Sequence, residues 1–110
     1  MTLLHVENIL SEFIAHGNSK KKVFEQLGYN SDTFTQTALG IMEANEICEE
    51  HIHDSMIEIF YFISGRGYYT IEGVSHEVKE GTYLRIDPNE THSLIAKQRL
   101  TFFYLGIPTK

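Results

Sequence analysis

The sequence predicts an all-β fold, a single antiparallel barrel or sandwich. Three observations carry this expectation. From about residue 21 onward the chain is cut into short runs rich in β-branched and aromatic residues, each closed by Gly, Asn, Asp or Pro. Compact turn signals join neighbouring runs, at Ser64-Gly65-Arg66-Gly67 and Glu72-Gly73. No helical periodicity separates the runs, as an α/β fold requires.

The first segment is the exception. Leu3, Val6, Leu10, Phe13 and Ile14 stand at near-helical spacing and His16-Gly17-Asn18 supplies a stop, which predicts either a short helix over 6–15 or an irregular arm. Residues 1–20 are assigned to this helix or arm and 21–110 to the barrel. The strands expected are Lys22–Leu27, Thr33–Leu39, Ile41–Ala44, Glu50–His53, Ile57–Ile63, Tyr68–Glu72, Ser75–Lys79, Thr82–Ile86, Thr91–Ala96 and Leu100–Leu105. Before the ninth, Asp87-Pro88-Asn89 forces an extended residue and then a turn.

The run Ile57-Glu58-Ile59-Phe60-Tyr61-Phe62-Ile63 is apolar on both alternating faces except for one carboxylate. With Glu58, Phe60 and Phe62 turned inward, Ile57, Ile59, Tyr61 and Ile63 need a cover. The N-terminal segment or a second copy of the chain can supply it, and a homodimer is the expectation.

Composition narrows the functions. A chain of 110 residues is long enough to bury one core without disulfides, and 42% hydrophobic content is ordinary for a globular domain. The net charge of -6, with positive residues scattered apart from Lys20-Lys21-Lys22, argues against nucleic acid. Those three lysines read as a solvated loop. The longest strongly apolar run, Ile59 to Ile63, is too short for a membrane span, and no signal-peptide pattern opens the chain. A lone Cys48 excludes an internal disulfide and fits a cytoplasmic protein.

The chemistry concentrates in one constellation. His51 and His53 are two apart, so on a strand both leave the same face with Cα atoms about 6–7 Å apart. Glu58 shares the inward parity of Phe60 and Phe62, and a carboxylate inside an apolar run is costly unless paired or coordinated. A His-x-His pair alone arises often by chance. With Glu58, Gly65 and a further His92 just past Gly81…Pro88, the ensemble points to a bound metal ion.

The pattern His51-x-His53-x4-Glu58-x6-Gly65 resembles the first conserved motif of the cupin superfamily, and Gly81-Thr82-Tyr83-Leu84-Arg85-Ile86-Asp87-Pro88-Asn89-Glu90-Thr91-His92 is similar to the second. The resemblance spans roughly residues 33–106. It implies a small jelly-roll-like antiparallel β-barrel with His51, His53, Glu58 and His92 as metal ligands, and single-domain cupins often dimerise. Asn45 and Asn89 stand where the motifs usually have Gly, and Ala96 where the second often ends in Asn. Asn tolerates a left-handed backbone, so both turns can persist.

Three imidazoles and a carboxylate suit a divalent first-row transition metal: Fe, Mn, Ni, Co, Cu or Zn. Affinity should fall below about pH 6, where histidines protonate. Phe60, Phe62, Tyr69, Tyr83, Arg85 and Tyr104 are the candidate substrate-pocket residues, with Tyr83 and Arg85 as catalytic candidates. An inward Arg85 favours a carboxylate or phosphate substrate, whereas an outward one joins a surface ion pair. Cys48, at odd parity to His51, should face away from the ion. His76 reads as exposed, and His5 and His16 have no visible company.

The leading expectation is a metal-dependent enzyme acting on a small oxygenated metabolite. Dioxygenase chemistry would use Fe(II), Ni(II) or Cu(II), whereas sugar or keto-acid isomerase, epimerase or lyase chemistry would proceed without oxygen and want a general base. No such base stands out, which tilts the reading towards water or oxygen at the ion. The alternatives are a non-catalytic module that uses the metal to anchor a sugar or other small ligand, and a structural barrel with a degenerate site.

Overall fold

The computed structural model describes residues 1–109; Lys110, the end of the expected barrel segment, lies outside the described residues. Among the described residues ten strands form two antiparallel sheets. The strands are β1 Glu12–Phe13, β2 Lys20–Gln26, β3 Gln36–Met42, β4 Ile47–His51, β5 Met56–Ser64, β6 Arg66–Ile71, β7 Val74–Lys79, β8 Tyr83–Ile86, β9 His92–Ala96 and β10 Leu100–Pro108. The larger sheet runs β1-β2-β3-β10-β5-β8 and the smaller β4-β9-β6-β7. The two face each other as a jelly-roll barrel, as the strand pattern predicts.

Alternation on β5 sets the inside. Met56, Glu58, Phe60 and Phe62 are buried, while Ile57, Ile59, Tyr61 and Ile63 turn outward. Register fixes what each meets: Phe60 lies opposite Tyr104 and Phe62 opposite Phe102 on β10. The resulting core is aromatic, with Phe60 stacked on Tyr104 at 5.5 Å between ring centroids and Phe62 tilted against Phe102 at 5.2 Å. Phe62 is wholly buried, and truncating such a ring costs about 3–5 kcal/mol.

The two strands expected at Thr33–Leu39 and Ile41–Ala44 are one. Gly40 does not interrupt β3; it makes room, because a Cβ there would stand 2.3 Å from the Phe102 ring. Asn45 and Asn89 adopt positive φ, 72° and 67°, so the turns that the motif glycines usually make are kept by asparagine.

The helix expected over 6–15 does not form. Only a 3-10 turn at Val6–Asn8 appears, its N-cap His5 makes no side-chain capping bond, and the backbone is extended again at Ile9. An isolated helix of ten residues is marginal, whereas a sheet edge offers backbone partners at once. β1 takes them by pairing with the start of β2, Glu12 opposite Lys21 and Phe13 opposite Lys20. Gly17, read as a helix stop, instead permits close approach: it bridges to Cys48, and a Cβ there would lie 2.1 Å from the Ile47 carbonyl oxygen. Asn18 fastens the crossing, its backbone donating to the Ile47 carbonyl and its side-chain oxygen accepting from the Ile47 amide. The Lys20-Lys21-Lys22 run is therefore the start of a strand rather than a loop.

Candidate metal centre

His51 ends β4 and His92 begins β9, and the two are register partners. His53 follows in the loop beyond β4, held there by the Asn89 amide, which donates to the His53 carbonyl at 2.7 Å. Glu58 reaches them from β5 in the other sheet, so the constellation joins the two sheets. One donor atom from each of the four lies within 4.8 Å of every other. All four ligands expected from the motif converge.

Two backbone carbonyls choose the histidine tautomers. Glu49 O lies 2.7 Å from His51 Nδ1, and Glu90 O lies 2.9 Å from His92 Nδ1. Each Nδ1 therefore carries the proton and donates it, which leaves each Nε2 with a lone pair for an ion. His92 is 1% exposed, and its Nε2 is a buried polar atom without a hydrogen bond. The Glu58 Oε1 atom approaches it to 3.3 Å, within ion-pair reach but without hydrogen-bond geometry, and approaches His53 Nε2 to 3.5 Å. An orphaned imidazole nitrogen beside a buried carboxylate is costly as it stands, and a divalent cation satisfies both. These residues fit a metal ion of borderline softness.

Burial lowers the pKa of His51, partly offset by the Glu49 carbonyl, and burial likewise lowers that of His53 against the pull of Glu58. At His92 burial also disfavours the charge, but the Glu58 carboxylate and the Glu90 carbonyl outweigh it and leave its pKa raised. Two of the three histidines are thus biased towards the neutral, ligating form.

The centre lies on the wall of an open cavity of about 310 Å³. Phe60, Tyr69 and Tyr104 line it, whereas Phe62 sits deeper, in the core beneath. Tyr83 and Arg85 do not line it. On β8 they pair with the outward Tyr61 and Ile59, so the inward positions go to Leu84 and Ile86. Arg85 is exposed and bonds Asp87 at 2.8 Å. Both catalytic candidates fall on the wrong face of their strand.

Three residues enter that the sequence reading set aside. Cys48 lines the cavity, because a register shift between Cys48 and His51 breaks the parity that turned it away. Burial pushes its thiol up to about 12, with Glu58 and Glu49 adding to the effect, which favours the protonated, less reactive form. His16 stacks on His51 with ring centroids 4.3 Å apart and also lines the cavity. Only the crossing of the arm at Gly17 puts it there, and no local pattern in the sequence signals that crossing. Lys21 is the third. His76 is exposed, as expected.

With this geometry in view, the cupin domain family matches residues 38–105, more than half of the chain. The chain belongs to the cupin family. Among curated proteins none matches this cupin. Similar solved structures include a predicted oxalate decarboxylase from Thermotoga maritima, with 20% identity, a TM-score of 0.82 and coverage of 97% of this chain and 99% of that one. A polyketide cyclase from Streptomyces resistomycificus is similar too, at 18% identity and TM-score 0.80, covering all of this chain and 80% of that one. An RmlC-like cupin from Shewanella frigidimarina has 13% identity and TM-score 0.79, with 97% and 89% covered. At such identities the likeness is one of fold. Among the described residues no helix is long and apolar enough to cross a membrane.

Proposed function

We propose that this cupin is a metal-dependent enzyme acting on a small oxygenated metabolite, by isomerase- or lyase-type chemistry that needs no oxygen. The observation that carries the reading is the buried, hydrogen-bond-free Nε2 of His92, set among three further donors at the wall of an open cavity. A divalent ion held there supplies a Lewis acid for a substrate oxygen. Its identity stays within Fe, Mn, Ni, Co, Cu and Zn, since the donor set suits them all.

His16 moves the balance away from oxygen chemistry. Sequence alone offered no side-chain base, but His16 borders the cavity and is no member of the ligand set, so a proton acceptor or donor stands beside the bound substrate. Tyr69 and Tyr104 stay phenols, because burial and the Glu58 charge raise both pKa values, and each can donate to a substrate oxygen. Structural neighbours described as a predicted oxalate decarboxylase and a polyketide cyclase are compatible with this class.

The test is turnover by metal-loaded protein of 2-oxo acids and keto sugars, followed by proton NMR in deuterated buffer under anaerobic conditions. Exchange or conversion without oxygen, lost in His16→Asn with metal retained, supports the reading. Turnover that requires oxygen returns it to dioxygenase chemistry. Ligand-induced stabilisation with no turnover makes this cupin a binding module.

The outward face of β5 supports a homodimer as part of the same proposal. Tyr61 is 50% and Ile63 44% exposed on β5, which lies between β10 and the edge strand β8 of the larger sheet. The N-terminal segment does not cover them: Lys22 on β2, towards the other edge, donates to the Val6 carbonyl and holds the 3-10 turn there. Light scattering on the purified chain reads the outcome directly. A cytoplasmic location fits the single free Cys48.

A further inference from the structure

The cavity wall formed by β2 and β3 is partly polar, and two cations border it, Lys20 and Lys21. On β2, Lys21 is paired with Gly40, and Val23 with the buried Ala38, which gives Lys21 the inward parity; Lys20 and Lys22 have the outward parity, and Lys20, although it borders the cavity, carries its ammonium over the Phe13 ring, 5.3 Å from the centroid. Lys21 lines the cavity and reaches the side chain of Gln36, whose Oε1 accepts from its Nζ at 3.4 Å. Among the described residues no carboxylate lies within ion-pair distance of it. Its cross-strand neighbour Glu12 is exposed at the rim.

Register also measures the span. Thr37 and Ile59 both pair with Leu105, so Gln36 and Glu58 are next along in one row, two strands apart, with Cα atoms about 10 Å from each other. The Lys21 ammonium, 3.4 Å from the Gln36 side chain, is therefore directed towards the row that carries Glu58. A molecule of about five carbons bridges such a gap.

We infer that Lys21 is a specificity-determining residue, and that it selects a substrate with an anionic oxygen group, a carboxylate, at the end remote from the metal. This rests on the proposed metal-centred function and adds to it the chemical class of the substrate. A lysine with no acidic partner inside a small cavity gains a charge-assisted hydrogen bond when a carboxylate enters, and a neutral terminus gives it none. The positive side chain that the sequence reading sought at Arg85 is supplied by β2 instead.

The test compares 2-oxopentanedioate with 2-oxopentanoate, which share the chelating 2-oxo acid end and the five-carbon skeleton and differ only in the distal carboxylate. Calorimetric titration of the Zn(II)-loaded protein should show the dianion bound about tenfold tighter. Lys21→Gln should remove that preference and leave metal content and 2-oxopentanoate affinity unchanged. Lys21→Arg should restore most of it. A preference that persists in Lys21→Gln, or that is absent from the wild type, overturns the assignment. Metal content measured on the same samples separates this outcome from failure of the metal centre, because protein that loads Zn(II) yet ignores the distal carboxylate refutes the role of Lys21 alone.

Discussion

His51 and His92 face each other as direct register partners on β4 and β9, their ring centroids 4.1 Å apart. Each is held through Nδ1 by the carbonyl of the residue two positions before it, Glu49 and Glu90. The same local device therefore aims two Nε2 atoms at one point from two strands. Glu58 closes the set from the opposite sheet, so an ion bound there ties the two layers together, and metal binding and stability of the barrel are linked.

Proton competition follows from the three histidines. Burial depresses His51 and His53, so both stay neutral to lower pH than a free histidine, whereas Glu58 and the Glu90 carbonyl hold the proton on His92 despite its burial. A protonated imidazole cannot ligate. On acidification His92 takes its proton first, and metal held fully at neutral pH is lost progressively below about pH 6. Metal content after dialysis across pH 4 to 8 checks this, and a full equivalent at pH 4 contradicts the ligand set.

Gly17→Ala should loosen the arm. The added Cβ meets the Ile47 carbonyl oxygen at 2.1 Å, backbone against backbone, and neither side can give way cheaply. A loss of roughly 1–3 kcal/mol in chemical denaturation is expected, the range for overpacking a close contact. Release of His16 from His51 should accompany it, read as a shift of the His16 ring resonances. Unchanged stability would mean that the arm is not anchored at this crossing.

Arg85→Ala and Tyr83→Phe should leave metal content and ligand affinity at wild-type levels. Both side chains lie on the outer face of β8, and the Arg85–Asp87 pair is exposed, worth at most about 1 kcal/mol. A large loss of binding in either variant would place the substrate outside the cavity described.

The candidate ligands were legible because their signal is local: two histidines two apart, a carboxylate breaking an apolar strand, and a histidine after a Pro turn. The inward face of β5 was legible for the same reason, since strict alternation carries Glu58, Phe60 and Phe62 together. What surrounds the ion was less so. Parity put Cys48 outside until a register shift on β4 turned it in, and it gave no answer for Arg85 and Tyr83, because β8 has four residues of mixed character. His16 and Lys21 depend on tertiary events, an arm crossing at Gly17 and a strand beginning inside a lysine run. The helix expected over 6–15 failed because its apolar spacing also suits an edge arm, and backbone pairing with β2 prevailed.

The central claim is the four-ligand metal centre, and elemental analysis of protein purified without chelator or affinity tag tests it most directly. One first-row metal near one equivalent per chain, lost in His51→Ala and in His92→Ala while both variants keep the β-sheet circular dichroism of the wild type, is the predicted result. Folded wild-type protein that carries no metal and takes up none of Fe(II), Mn(II), Ni(II), Co(II), Cu(II) or Zn(II) would contradict it.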